Sequence, residues 1–392
     1  MKRFLRSTII IVLITFGMLL TCELLARALL WVAPVEQTEQ PDAPQVVYGF
    51  STTGYGDLQP NQNTIISLYN IRPYFLQTNS AGLRNTDEVN PDESVIRILA
   101  IGDSFTFGAY VHNHETWTAR LESRLNTLLF PDAQVQVLNA GIPGYTIEDE
   151  ISYLRDKGLA LQPDVVILGF YTNDIFDLYP AVRQSLSRDV VLAQTQAAAP
   201  NPLRQFMHDN LALYNVLTGW FAEQQLDSAV QQVQQQTENF QQIYLNMTFL
   251  TPTQPEYQAY WDSYESQFHE LVTLLQDNNI PLVLIAFPDV SQVVMGDVFT
   301  DVPQQFLARV TDETNVPYLD LLPVLRAAGD IEETYLMYYD ARRPVDPNSL
   351  ELTGHGYTGD GHPSPYGYLV AARALADFLV ERGVVPWSVF EN

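Results

Sequence analysis

Scarcity narrows the possibilities before any motif does. Cys22 is the only cysteine, which rules out an intramolecular disulfide and any CxxC metal site. Basic residues are few: 20 Lys and Arg stand against 46 Asp and Glu, a formal net charge of −26. So acidic a surface repels phosphate backbones, and nucleic acid is not an expected partner. Histidines number only six, so one that sits in a patterned segment stands out. Aromatic residues are not scarce. At 11% they fit a packed chain rather than wholesale disorder, and 392 residues suffice for one large domain with extensions.

The N-terminus carries Lys2, Arg3 and Arg6, then a charge-free run from Ser7 to Cys22. That run alone is short for a spanning helix, but Leu24 to Val32 extends it with interruptions at Glu23 and Arg27. We expect residues 1–33 to be a signal anchor with the following chain extracytoplasmic. The competing expectation is a signal peptide cleaved at Ala26-Arg27-Ala28, leaving a secreted protein. Leu19-Leu20-Thr21-Cys22 has the outline of a lipobox, but Thr fits it poorly, and Cys22 reads as an ordinary helix residue. Residues 34–45, rich in Pro, Glu and Gln, form a linker. Residues 46–90 read as a strand-and-loop extension packed on the main domain, with Asn79-Ser80-Ala81-Gly82-Leu83-Arg84 as a fixed turn.

From about residue 91 the pattern alternates. Short apolar strands are expected at Val95–Ile101, Val135–Asn139, Val165–Phe170, Pro281–Phe287 and Val316–Leu319. Helices are expected at Trp117–Leu129, Ile147–Lys157, Tyr257–Asp277, Pro303–Thr314 and Pro365–Glu381, the last capped by Ser364. Alternating elements of this kind imply a three-layer α/β/α domain on a parallel sheet, running over residues 91–392. Residues 185–250 break the alternation and read as a helical insertion, a lid over the site or a solvated excursion.

Chemistry gathers at strand ends. Val95–Ile101 ends in Gly102-Asp103-Ser104, delivering one serine to the carboxyl edge where open parallel sheets bind ligands. A serine there is a nucleophile if a base, an orienting acid and oxyanion donors converge on it. The second strand runs into Asn139-Ala140-Gly141-Ile142-Pro143-Gly144, where Gly144 N–H is either an oxyanion donor or part of a plain turn. The third runs into Tyr171-Thr172-Asn173, whose amide can face developing negative charge or satisfy its own turn. Near the C-terminus, Gly359-Asp360-Gly361-His362-Pro363-Ser364-Pro365 offers a base two residues after a carboxylate. His112 and His114 follow the serine block closely and are candidate cleft residues. As a metal pair they lack third and fourth ligands, and no metal or organic cofactor is expected. Gly354-His355-Gly356-Tyr357-Thr358-Gly359 fits GxGxxG but follows no strand, so dinucleotide binding is rejected. Ser104 is not in a GxSxG elbow.

Taken together, Gly102-Asp103-Ser104, Gly144 after Asn139, Asn173 and Asp360/His362 resemble, in order, the four blocks of the SGNH hydrolases, or GDSL esterases. The turn at Asn79–Arg84 behind a membrane helix is similar to a membrane-anchored bacterial subgroup. The resemblance implies a flavodoxin-like fold and an esterase. It makes Ser104 the nucleophile, with Ser104 N–H, Gly144 N–H and Asn173 as the oxyanion hole and His362 as the base. It places the acid three residues before the histidine, where this chain has Gly359. Asp360 or a backbone carbonyl must then orient His362. Tyr171 stands where Gly is common, which narrows the expected acyl pocket. The expected substrate is a small-molecule or glycan ester with a short, carbohydrate-type O-acyl group. The rival functions are O-acetyl transfer to extracellular polysaccharide and noncatalytic glycan binding.

Overall fold

The computed structural model describes scattered residues between 15 and 27, then 48–50, 56–66, 71–178, 211–213, 243–250, 255–294, 296, 299–339 and 357–385. Most of the expected anchor, the linker and most of the expected insertion lie outside these residues. The chain divides into two compact units, Met1–Ala43 with Leu192–Gln242, and Pro44–Val191 with Ile243–Asn392. In the first unit, Glu23 pairs with Arg27 at 2.8 Å, and its carboxylate accepts from the N–H groups of Ala212 and Leu213. Among the described residues, no helix is long and apolar enough to cross a membrane.

The second unit opens with two small antiparallel pairs. These are β1 (Tyr48–Phe50) with β2 (Gly56–Leu58), and β3 (Asn63–Ile66) with β4 (Tyr74–Gln77). The turn that follows is fixed as the sequence suggested. Asn79 Oδ1 accepts from Ala81 and Leu83 N–H, and Gly82 takes φ +71°.

The central sheet comprises β5 (Val95–Gly102), β6 (Gln134–Asn139), β7 (Val165–Phe170), β8 (Leu282–Ala286) and β9 (Tyr318–Asp320). All four pairings are parallel, in the order β6-β5-β7-β8-β9. The chain therefore turns back at β5, and the crevice between β5 and β7 is the topological switch point, where such sheets bind ligands. Strand residues alternate between two apolar cores. Leu99, Ile101, Val166 and Leu168 face α3 (Ile147–Tyr153), α5 (Pro255–Asp277) and α6 (Val302–Thr314). Ile98, Ala100, Ile167 and Ile285 face α2 (Trp117–Leu129) and α7 (Pro365–Glu381). Trp117, Leu121 and Leu125 on one helix stripe are fully buried, each worth about 2 kcal/mol of transfer free energy. The aromatic stripe of α5 is core as well: Trp261, Tyr264 and Phe268 are all buried.

Two expectations need correction. The helix from Ile147 keeps α geometry only to Tyr153 and continues as a wider π turn through Leu154–Gly158. His362 does not stand in a bare helix approach. It lies on β11 (Tyr357–Pro363), paired antiparallel with β10 (Tyr335–Tyr339). Thr358-Gly359-Asp360-Gly361 has no alternating apolar residues, so the strand left no period-two signal. Ser364 then caps α7 as expected, accepting from Tyr366 and Gly367 N–H at 3.1 Å.

Candidate active site

Ser104 starts α1 (Ser104–Phe107), a single turn raised directly from the end of β5. Asp103 caps it, its Oδ1 accepting from Phe105 N–H at 2.8 Å. The turn needs space beneath it. Gly102 and Gly169 pair across β5 and β7, and a Cβ on either would meet Thr106 Oγ1 at 2.2 Å. The glycine ending the strand is thus what lets the serine turn sit on the sheet edge.

His362 reaches this turn from the other end of the chain. Its Nε2 lies 2.8 Å from Ser104 Oγ, and its Nδ1 is hydrogen-bonded to Asp360 Oδ1. A carboxylate only accepts, so the proton sits on Nδ1 and leaves Nε2 to accept from the serine hydroxyl. Asp360 Oδ1 also accepts from His362 backbone N–H at 2.9 Å. This local Asp turn makes a spacing of two residues workable, because the carboxylate folds back onto the histidine that follows it. An acid one position earlier is excluded. Gly359 has φ +128°, and a Cβ there would meet Leu336 O at 2.2 Å. Of the two partners left open for His362, the structure has Asp360 rather than a backbone carbonyl. Burial works to raise the Asp360 carboxyl. The hydrogen bond and charge of His362, with a bond from Tyr110, outweigh it and hold the group below the usual range.

The oxyanion candidates differ. Ser104 N–H opens a helix and has no intrahelical acceptor. Gly144 takes φ +79° with open space where a Cβ would be. Asn173 begins α4 (Asn173–Phe176) beside Asp103, and its amide nitrogen donates to Asp177 at 2.9 Å. Tyr171 stacks on Phe105 at 3.8 Å, and Phe105 in turn stacks on His362 at 4.5 Å. The Tyr171 hydroxyl donates to Asp289 at 2.9 Å, and Tyr244 donates to the same oxygen at 2.6 Å. Tyr171 thus supports the ring that backs the histidine. His112 and His114 stack on each other at 5.7 Å, and His112 Nδ1 accepts from Phe75 N–H of β4.

Sequence reasoning missed three features. Arg84, 2% exposed, donates to the carbonyls of Phe107, Gly108 and Val111 and lies 4.2 Å over the Phe107 ring. It staples the loop after the nucleophile, and the only sequence signal was its place at the end of the fixed turn. Tyr110 sits edge-on to His362 at 5.5 Å. Beneath the site lies a set of buried acids: Asp103, Glu150 of α3 and Asp174 of α4. Burial, and then mutual repulsion, raise Glu150 and Asp174 well above the ordinary range, and burial raises Asp103. Both Glu150 carboxyl oxygens and the Tyr264 hydroxyl are buried without a hydrogen-bond partner. Among the described residues, the one group spaced to hold a metal is Glu265, His269 and Glu313, and Arg309 pairs with both of those glutamates.

A model described as the GDSL-like Lipase/Acylhydrolase family matches residues 100–370. No curated protein matches the chain. Among solved structures, the chain is similar to Axe2, an acetylxylan esterase from Geobacillus stearothermophilus, at 16% identity and a TM-score of 0.38 over 72% of this chain and 94% of that one. It is similar to the acetyl xylan esterase AlAXEase at 15% identity and a TM-score of 0.39, over 72% and 98%. A two-domain esterase active on acetylated mannans follows at 14% identity and 0.38, over 74% and 50%. These are distant likenesses and carry no weight for substrate or mechanism.

The buried acids give a pH prediction. A carboxyl whose pKa is raised by folding costs nothing below its unfolded pKa and progressively destabilises the fold as pH rises above it. The melting temperature of Glu150→Gln relative to the unsubstituted protein therefore increases from pH 4 to pH 8. Thermal melts across that range check this, and a difference that is flat or falls with pH contradicts it.

Proposed function

The chain belongs to the GDSL-like lipase/acylhydrolase family and is an ester-bond hydrolase, and we propose that it works as a serine esterase through an acyl-enzyme on Ser104. The observation that carries this reading is the unbroken hydrogen-bonded line from Ser104 Oγ through His362 to Asp360. In the first half-reaction Ser104 Oγ attacks the ester carbonyl as its proton passes to His362 Nε2. Asp360 holds the imidazolium that results. The oxyanion rests on the N–H groups of Ser104 and Gly144, and the Asn173 amide joins them as a third donor only by turning from the carboxylates of Asp177 and Asp103 that it bonds here; one such donor is worth about 3 kcal/mol of barrier. The C–O bond to the alcohol then breaks, and His362 returns its proton to the leaving oxygen. Water repeats the sequence on the acyl-enzyme and releases the acid.

The proposed substrate is a short-chain O-acyl ester of a neutral carbohydrate. The net charge of −26 disfavours polyanionic glycans. A further part of the proposal is that the N-terminal segment tethers the enzyme to the membrane with the catalytic unit outside. The basic leader and the charge-free run after it support this. Intact mass from a membrane fraction checks the tether, and loss of about the first 28 residues contradicts it.

Ser104→Ala tests the mechanism. We expect it to lower hydrolysis of p-nitrophenyl acetate by about a thousandfold or more with an unchanged thermal melt. We also expect the unsubstituted protein to prefer acetyl over long acyl esters. Activity surviving in the variant contradicts the serine mechanism, and a preference for long chains contradicts the carbohydrate-ester reading.

A further inference from the structure

The acid of this site holds its histidine through one oxygen, since both bonds from His362 fall on Asp360 Oδ1. A carboxylate bound that way keeps a soft torsion about its terminal bond. Tyr110 supplies what is missing. Its hydroxyl donates to the Asp360 carboxylate. Its ring stands edge-on to His362 at 73° and edge-on to Tyr74 of β4 at 6.2 Å. It is 7% exposed and adopts φ +62°, a left-handed conformation that a bulky residue rarely takes. Neighbouring groups hold that conformation. Arg72 Nη1 donates to the Tyr110 carbonyl at 3.1 Å, while the same guanidinium grips Glu115 in a bidentate pair at 2.7 and 3.1 Å. Arg84 pins the carbonyls on either side of Tyr110, at Gly108 and Val111.

We propose that Tyr110 is a positioning residue for the triad acid, and that Arg72 of the N-terminal extension holds it in place. The inference rests on the esterase reading and extends it. Moving the acid next to Gly359 gives a carboxylate that folds back on its own histidine, and the Tyr110 hydroxyl adds a second bond that fixes the rotation of that carboxylate. The ionisable groups facing Asp360 are His362 on its own strand, Tyr110 and Tyr368 of α7. Asp103 faces His362 from the nucleophile's side. The extension at 46–90 is then part of the catalytic apparatus.

The test is Tyr110→Phe in the full chain, which keeps the ring and removes the donor, assayed on p-nitrophenyl acetate across pH. We expect kcat to fall about tenfold, as for a lost bond to a charged group, with KM unchanged. Without the donor the carboxylate is more basic and holds the imidazolium more firmly. The acidic limb of kcat/KM therefore moves to higher pH. Arg72→Met, which frees the Tyr110 carbonyl, shows the same signature more weakly, with folding of both variants checked by thermal melts. A Tyr110→Phe protein with unaltered kcat, or with a fall in kcat and an unmoved acidic limb, overturns the proposal. If Ser104→Ala is inactive while Tyr110→Phe is unaffected, only this inference falls. If Ser104→Ala stays active, the esterase reading falls with it.

Discussion

One hydrogen bond, from Ser104 Oγ to His362 Nε2, closes a chain separation of 258 residues. Much of the second unit serves to make that bond reproducible. The serine end is fixed by a strand buried on both faces, a capping aspartate and two paired glycines that let Thr106 pack beneath. The histidine end is fixed by a strand pair running straight into the capped α7. Phe105 joins the two, following the nucleophile in sequence and stacking on the base in space. Rigid elements on both sides hold this hydrogen bond at an ordinary length of 2.8 Å.

How much of this the sequence revealed depends on which force wrote each feature. Val165–Phe170, Trp117–Leu129 and Pro365–Glu381 matched residue for residue, because burial on one or two faces leaves a periodic trace in composition. The site was legible where a strand ended in residues too small or too polar for a core, as at Gly102-Asp103-Ser104 and Asn173. What stayed hidden was the β10–β11 pair, whose second strand is glycine and aspartate, and the supports that arrive from distant segments. Arg84 and Tyr110 have no local pattern to announce them. Their meaning lies in carbonyls and carboxylates brought near by the fold. Asp360 was the most informative case. Its two-residue spacing put its role in question until the backbone of Gly359 left no room for an acid and the carboxylate of Asp360 folded onto His362.

The layer of buried acids under the site runs against ordinary core chemistry. Asp103 and Asp174 are sequence neighbours of Ser104 and Asn173, and Glu150 faces them from α3. Asp103 and Asp174 each accept a backbone N–H, but Glu150 has no hydrogen-bond partner; burying such carboxyls destabilises a fold, and natural proteins keep them mainly where function sets the terms. Here they lie on the switch-point side of the sheet.

The central claim is that Ser104 is the one activated nucleophile and that His362 activates it. A fluorophosphonate probe followed by intact mass and peptide mapping tests this without any assumption about the natural ester. The account predicts a single adduct, located on Ser104, that forms in the unsubstituted protein and is lost in His362→Ala. An adduct on another residue, or labelling of Ser104 that is equally fast without His362, contradicts it.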